Sequence, residues 1–246
     1  MNGMNDYTRD GFQFYTTDLI ALNNSGVAGK VTILFDAAHG SVAVGIEATG
    51  LEPDQMHVQH IHGFDDDSQA MSPTIARDAD QDGFVELGEG LASYGPIQLN
   101  LTLDPAKAAH DHGTAGHDHT ADAVFPTAGP DRTLHYRETF HFDPADPNAQ
   151  AILAGITPLM AKEIVLHGES VAAGSGAGTT GEVDGTAGYK VVLPVASGEL
   201  HAVTDPLGVL QAAASLQEAA YNTVDWGALA HLYETHPGSL PDWAFS

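Results

Sequence analysis

Residues 29–49 read Gly29-Lys-Val-Thr-Ile-Leu-Phe-Asp36, then Ala37-Ala-His-Gly40, then Ser41-Val-Ala-Val-Gly-Ile-Glu-Ala-Thr49. Two apolar runs of strand length flank a short turn-like connection, which predicts a β-hairpin. The same texture extends on both sides of it. Up to about residue 204, short apolar runs are punctuated by Gly, Pro, Asn and Asp, and no long helical period interrupts them. Strands are expected at 12–19, 29–36, 41–49, 56–62, 96–103, 133–142, 162–167 and 189–195, so the fold class is all-β.

Two stretches are too long to be plain connections, an Asp-rich insertion at 65–95 and a His-rich insertion at 104–132. Loops of that length usually carry function. A third segment, 168–188, is rich in Gly, Thr and Ser and is expected to form a mobile surface loop. Beyond residue 204 the period changes. Asp205 can cap a helix with Pro206 in its first turn, and Val209, Leu210, Ala213, Leu216 and Ala220 recur at helical spacing. The chain therefore divides into a β domain over 1–204 and a short helical tail over 205–246, which would pack on the sheet or on a neighbour.

Lys and Arg number 8 against 33 Asp and Glu, a formal charge of −25. Nucleic acids and anionic membranes need cationic surface, so metal cations are the natural partners of this chain. With no cysteine, thiolate chemistry, Cys-ligated zinc and disulfides are excluded. No apolar run reaches membrane-spanning length. The N-terminal residues have no signal-peptide pattern, while the ending Asp242-Trp-Ala-Phe-Ser246 resembles some type I secretion tails; a secreted or extracellular location is expected, with a cytoplasmic one as the alternative.

Within the first insertion, Asp78-Ala-Asp-Gln-Asp-Gly-Phe-Val-Glu-Leu-Gly-Glu89 fits a twelve-residue calcium loop position by position. Asp78, Asp80 and Asp82 take positions 1, 3 and 5, Gly83 the sharp turn, Phe84 the carbonyl position and Glu89 the twelfth, bidentate one. Glu86 can help directly or through water. A hard cation wants about seven oxygens, and alternating carboxylates on a tight turn wrap them around one point. Pro73 limits any incoming helix and no second loop is visible, so an isolated Ca2+ site that stiffens the insertion is expected.

The segment His57-Val-Gln-His-Ile-His62 holds three of the chain's 14 histidines. On a strand His60 and His62 share one face while Ile61 takes the other, so the strand can bury Ile61 and present two imidazoles together. His167 ends Ile164-Val-Leu-His167 with Ile164 and Leu166 opposite, and can be a third ligand by the same parity. Converging neutral imidazoles suit copper or zinc. His57 faces with Ile61 and is expected to orient a ligand. His110, His112, His117 and His119 crowd one ten-residue stretch, either a solvated low-complexity loop or a further metal-binding group. His135 and His141 are weaker candidates.

Leu22-Asn-Asn-Ser-Gly-Val-Ala-Gly-Lys-Val-Thr32, Ile46-Glu-Ala-Thr-Gly-Leu-Glu-Pro53, His57-Val-Gln-His-Ile-His-Gly63 and Tyr94-Gly-Pro-Ile-Gln-Leu99 together resemble the chordin-type (CHRD) domain. That domain is similar in architecture to copper-zinc superoxide dismutase, which implies a Greek-key β-sandwich or barrel over roughly residues 15–200. The resemblance implies copper at His60, His62 and His167. It also places Lys190, in Gly185-Thr-Ala-Gly-Tyr-Lys190, where the dismutases keep the arginine that guides superoxide. It departs from that family after His62: residues 63–109 contain no histidine for a zinc set, and the calcium loop stands there instead.

Three functions follow. The protein is a copper enzyme acting on superoxide, a non-catalytic calcium-stabilised module binding an extracellular protein or matrix partner, or a copper or zinc storage and delivery protein.

Overall fold

The computed structural model describes residues 12–109 and 123–203. The tail expected over 205–246 lies outside the described residues. Nine strands are present: β1 (Phe12–Ala21), β2 (Ala28–Asp36), β3 (Ser41–Thr49), β4 (Gln59–His62), β5 (Ile97–Asn100), β6 (Thr133–His141), β7 (Glu163–Val171), β8 (Gly188–Glu199) and β9 (His201–Ala202). All eight expected strands are among them, and the fold is all-β as expected.

The hairpin of the opening stretch pairs β2 with β3 in unbroken register from Ala28↔Thr49 to Asp36↔Ser41. The full order is β5-β4-β7-β8-β1-β2-β3-β6, with β9 beside β1. Every pairing is antiparallel. The sheet curls into two layers, β1-β2-β3-β6 and β5-β4-β7-β8. Their seam is short, Ile20↔Ser197 and Ala21↔Ala196. The chain passes between layers from β3 to β4, from β5 to β6 and from β6 to β7, which is Greek-key connectivity. Since β5 and β6 are not paired with each other, the result is a half-barrel.

Strand alternation fills the space between the layers. Val31, Ile33 and Phe35 of β2, Val42, Val44 and Ile46 of β3, and Leu134, Tyr136 and Phe140 of β6 meet Ile61, Leu99, Ile164 and Leu166 from the other layer in one cluster. Each such aliphatic or Phe side chain contributes about 1.5–3 kcal/mol when fully buried.

Three helices were not expected from the sequence: α1 (Leu87–Tyr94), α2 (Pro105–Ala108) and α3 (Pro147–Ile156). The Asp146 side chain accepts from Asn148 N–H and Pro147 occupies the first turn of α3, the same start signal as that read at Asp205-Pro206. α3 adds Ala149, Ile152 and Ile156 to the core. No described helix is long and apolar enough to cross a membrane.

Two loops matter for the site. The 65–95 insertion is hydrogen-bonded to the segment that leads into β7, through Ala70 N to Ala161 O at 3.1 Å, and to β7 itself, through Ser72 Oγ to Glu163 Oε1 at 2.6 Å. The Gly-rich segment is a surface loop as expected, exposed at most of residues 172–187 and pinned at one of them. Val183 is fully buried against Val171 and Leu193, with Phe84 packed on them.

Candidate metal centre

Strand parity works as expected on β4. Ile61 enters the core, and His60 and His62 face the other way, under the insertion. On β7, Ile164 and Leu166 face the core and His167 sits at a break in register, where it partners Pro194 of β8. Gly168 follows at φ +112°, and a Cβ there would collide with Tyr189 Oη. Only glycine lets the chain turn that closely under the tyrosine.

The three imidazoles converge. Ring centroids are 5.2 Å apart for His60 and His167, 5.4 Å for His60 and His62, and 6.1 Å for His62 and His167. One nitrogen from each lies within 4.8 Å of the others. All three are buried, at 2 %, 0 % and 0 % exposure. His62 Nδ1 bonds the Gly95 carbonyl at 2.8 Å, and His167 Nδ1 bonds the Val192 carbonyl at 2.7 Å. Those bonds place the proton on Nδ1 and leave Nε2 as the bare lone pair, as metal-binding histidines require. His62 Nε2, His167 Nε2 and both nitrogens of His60 have no hydrogen-bond partner.

Burial also keeps the rings neutral. It is the main cause lowering His62 to about 3 and His167 to about 4, and it drives His60 well down, with His167 and His62 adding repulsion. Buried polar atoms without partners are costly, about 1–3 kcal/mol each. Several of them at one spot, neutral and with the tautomer fixed on His62 and His167, form a donor set that fits copper or zinc. The group could hold a metal ion.

Tyr94 and Phe125 roof this centre, with ring centroids 4.6 Å from His62 and 5.7 Å from His60. Neither was singled out as a site residue in the sequence. Tyr94 is the last residue of α1 and Gly95 caps the helix, so the element that roofs His62 also supplies its carbonyl partner. Glu163 was missed too, although it shares strand parity with His167. It is fully buried and lies directly opposite His62 across β4 and β7. Burial pushes its carboxyl up to about 7, against the hydrogen bond from Ser72 and the Ser197 hydroxyl behind it.

His57 supports the centre without joining it. Its Nδ1 bonds the His167 carbonyl at 2.9 Å and its Nε2 the Glu52 carbonyl at 3.0 Å. Lys190 is not brought to the histidines by any contact. Its ammonium is engaged by Asp184 at 3.2 Å and by Thr186 Oγ1 at 2.9 Å. His135 pairs with Glu47, and His141 Nδ1 bonds Ser41 Oγ at 2.9 Å, both on the far layer. His110, His112, His117 and His119 lie outside the described residues.

In the calcium-type loop, Asp78, Asp80 and Asp82 each bring a carboxylate oxygen within 4.8 Å of the others and could bind Ca2+. Asp78 accepts from Asp82 and Gly83 N–H, and Asp82 Oδ1 accepts from Phe84 N–H at 2.8 Å. The other oxygen, Asp82 Oδ2, is buried and unpartnered. Burial pushes Asp82 up, and Asp80, Asp78 and Glu89 add to this, while the Phe84 hydrogen bond opposes it. A cation would remove that repulsion, so the loop fits one. Glu89 accepts from Ala79 N–H at 2.6 Å and from Glu86 N–H at 3.0 Å, folding the twelfth position back onto the loop start. Glu86 lies beside the loop carboxylates, and its own carboxyl is pushed up mainly by burial, with Glu182, Asp82 and Asp80 adding repulsion and the Val183 N–H bond opposing. Glu86 is buried, caps α1 and accepts from Val183 N–H at 2.6 Å.

No family model matches the chain, and no curated protein matches it.

Proposed function

We propose that this is a metal-binding β protein that holds one copper or zinc ion at His60, His62 and His167 and one Ca2+ in the 78–89 loop. The observation that carries the reading is the set of buried, neutral histidine nitrogens that meet at one point without hydrogen-bond partners. An ion would satisfy donors that otherwise only cost stability. The resemblance to chordin-type and dismutase-like domains supports the same three ligands. For the loop, Asp78, Asp80, Asp82, the Phe84 carbonyl and Glu89 would supply the oxygens.

Burial under Tyr94 and Phe125 favours a retained ion, structural or stored, over one that turns over superoxide. Engagement of Lys190 by Asp184 supports the same preference, because it neutralises the charge that would draw an anion.

The test is metal content by mass spectrometry on protein purified without chelator or immobilised nickel, with paramagnetic resonance after Cu2+ addition. Near-stoichiometric copper or zinc with a nitrogen-coupled Cu2+ signal, both lost in His60→Ala, is expected. Calcium alone, with no tightly held copper or zinc, would sink the reading.

A further inference from the structure

Three neutral imidazoles leave the full charge of a divalent ion uncompensated beneath the insertion. A charge with no counter-charge in a buried site is strongly disfavoured. Among the described acids, Glu163 is placed to supply one. It is the register partner of His62, and directly opposed residues of an antiparallel pair share a face with Cβ atoms about 4.5–5.5 Å apart. It stands diagonal to His60, which partners Val165. Its side chain is 0 % exposed.

Only half of the carboxylate is occupied. Oε1 accepts from Ser72 Oγ at 2.6 Å, and Ser72 Oγ in turn accepts from Ser197 Oγ at 2.8 Å. Oε2 is buried and has no partner. If Glu163 only joined the insertion to the sheet, a neutral side chain would do so without burying a half-satisfied acid. The cluster of three nitrogens within 4.8 Å does not include a Glu163 oxygen, so the carboxylate is not one of the converged donors; its charge reaches Tyr94, whose ring lies 4.6 Å from that of His62.

We propose that Glu163 is the anionic counter-charge of the ion held by His60, His62 and His167, making the centre selective for a divalent cation. This rests on the metal-binding reading above. Glu163→Gln keeps the shape and removes the charge. Zinc affinity, read by competition with a chromophoric chelator, should fall about 10–100-fold, the usual effect of losing a partner next to metal ligands. The metal-free variant should be at least as stable as the metal-free parent in urea.

Equal zinc affinity in parent and variant would overturn the proposal. So would a Glu163→Gln protein that fails to fold without metal, because Glu163 would then be needed by the fold itself. Ser72→Ala, which leaves the charge in place, should keep zinc affinity within a few-fold of the parent; a loss as large as that of Glu163→Gln would also overturn it. If the parent binds no zinc, the metal-binding reading fails, and that result is distinct from equal binding by both proteins.

Discussion

Acidification of the metal-free protein should expose the histidine centre through stability. His167 is held at about 4, mainly by burial, against an ordinary 6.5. Above the ordinary value the ring is neutral in both folded and unfolded chains and pH has no effect. Between the two values the unfolded chain takes up a proton that the folded chain resists, so stability is lost as pH falls. From about pH 7.5 to about pH 5 the loss for this one group is about 2 kcal/mol. Glu163, raised to about 7, works the other way, since a raised acid loses stability as pH rises. A single curve would therefore mix the two signs. The comparison that isolates His167 is urea unfolding, with chelator, of wild type and His167→Leu at both pH values. Because Glu163 is present in both proteins, its contribution largely cancels in the difference. Wild type should lose about 2 kcal/mol more than the variant on acidification. Equal losses would refute the claim that the fold holds this imidazole neutral.

Calcium at about 100 times its dissociation constant should raise unfolding stability by about 2.7 kcal/mol, and Asp82→Asn should shift that effect to higher calcium, measured by thermal melts across a calcium titration. Gly95→Ala should cost at least about 1–2 kcal/mol, because φ is +79° and a Cβ would stand 2.5 Å from the Gly63 carbonyl. It should also weaken zinc binding in the chelator competition, since the Gly95 carbonyl fixes His62. Val183→Ala should destabilise by about 2 kcal/mol and speed proteolysis within residues 172–187, because Val183 anchors that segment beside Phe84. Removing calcium should lower zinc affinity several-fold, because α1 carries the loop's last ligand position, Glu89, in its first turn and Tyr94, over His62, at its end; identical zinc titrations with and without calcium would contradict this.

The strands were legible as short apolar runs bounded by turn residues, and β2 and β3 are buried on both faces along most of their length. Residues 29–49 show this most clearly, and β2 and β3 pair over their full length. The helices were not. α1 begins inside a motif read for its oxygens, and its cap is made by Glu86 and Glu89, the same residues that the calcium reading claims for an ion. α3 carries a clear cap, but ten residues is too short a run for period 3.6 to stand out between strands. The anchoring of 172–187 turns on one buried valine in a polar, glycine-rich stretch. Composition predicts exposure there, and most of the segment is exposed; what composition does not show is the one valine that pins it.

The histidine centre was legible to the extent that strand parity reaches. His60 and His62 around Ile61, and His167 opposite Leu166, follow from alternation alone. What parity cannot tell is what lies above a face, and here the insertion decides it. The chain leaves β4 at His62, runs through the calcium-type loop and α1, and returns at Pro96, where Gly63 N–H bonds the Pro96 carbonyl at 3.1 Å. The insertion is thus a closed excursion whose two ends meet beside His62, and Tyr94 and Gly95 near its return fall on that ring. An acidic loop inserted at any other hairpin would be a surface ornament. Placed here, it sets both the roof and the tautomer of a ligand, so its effect on the centre is geometric. The net charge of −25 pointed only to cations in general. On the proposal above, the carboxylate that would matter most to a bound ion is Glu163, through its register opposite His62 and not through the chain's overall acidity.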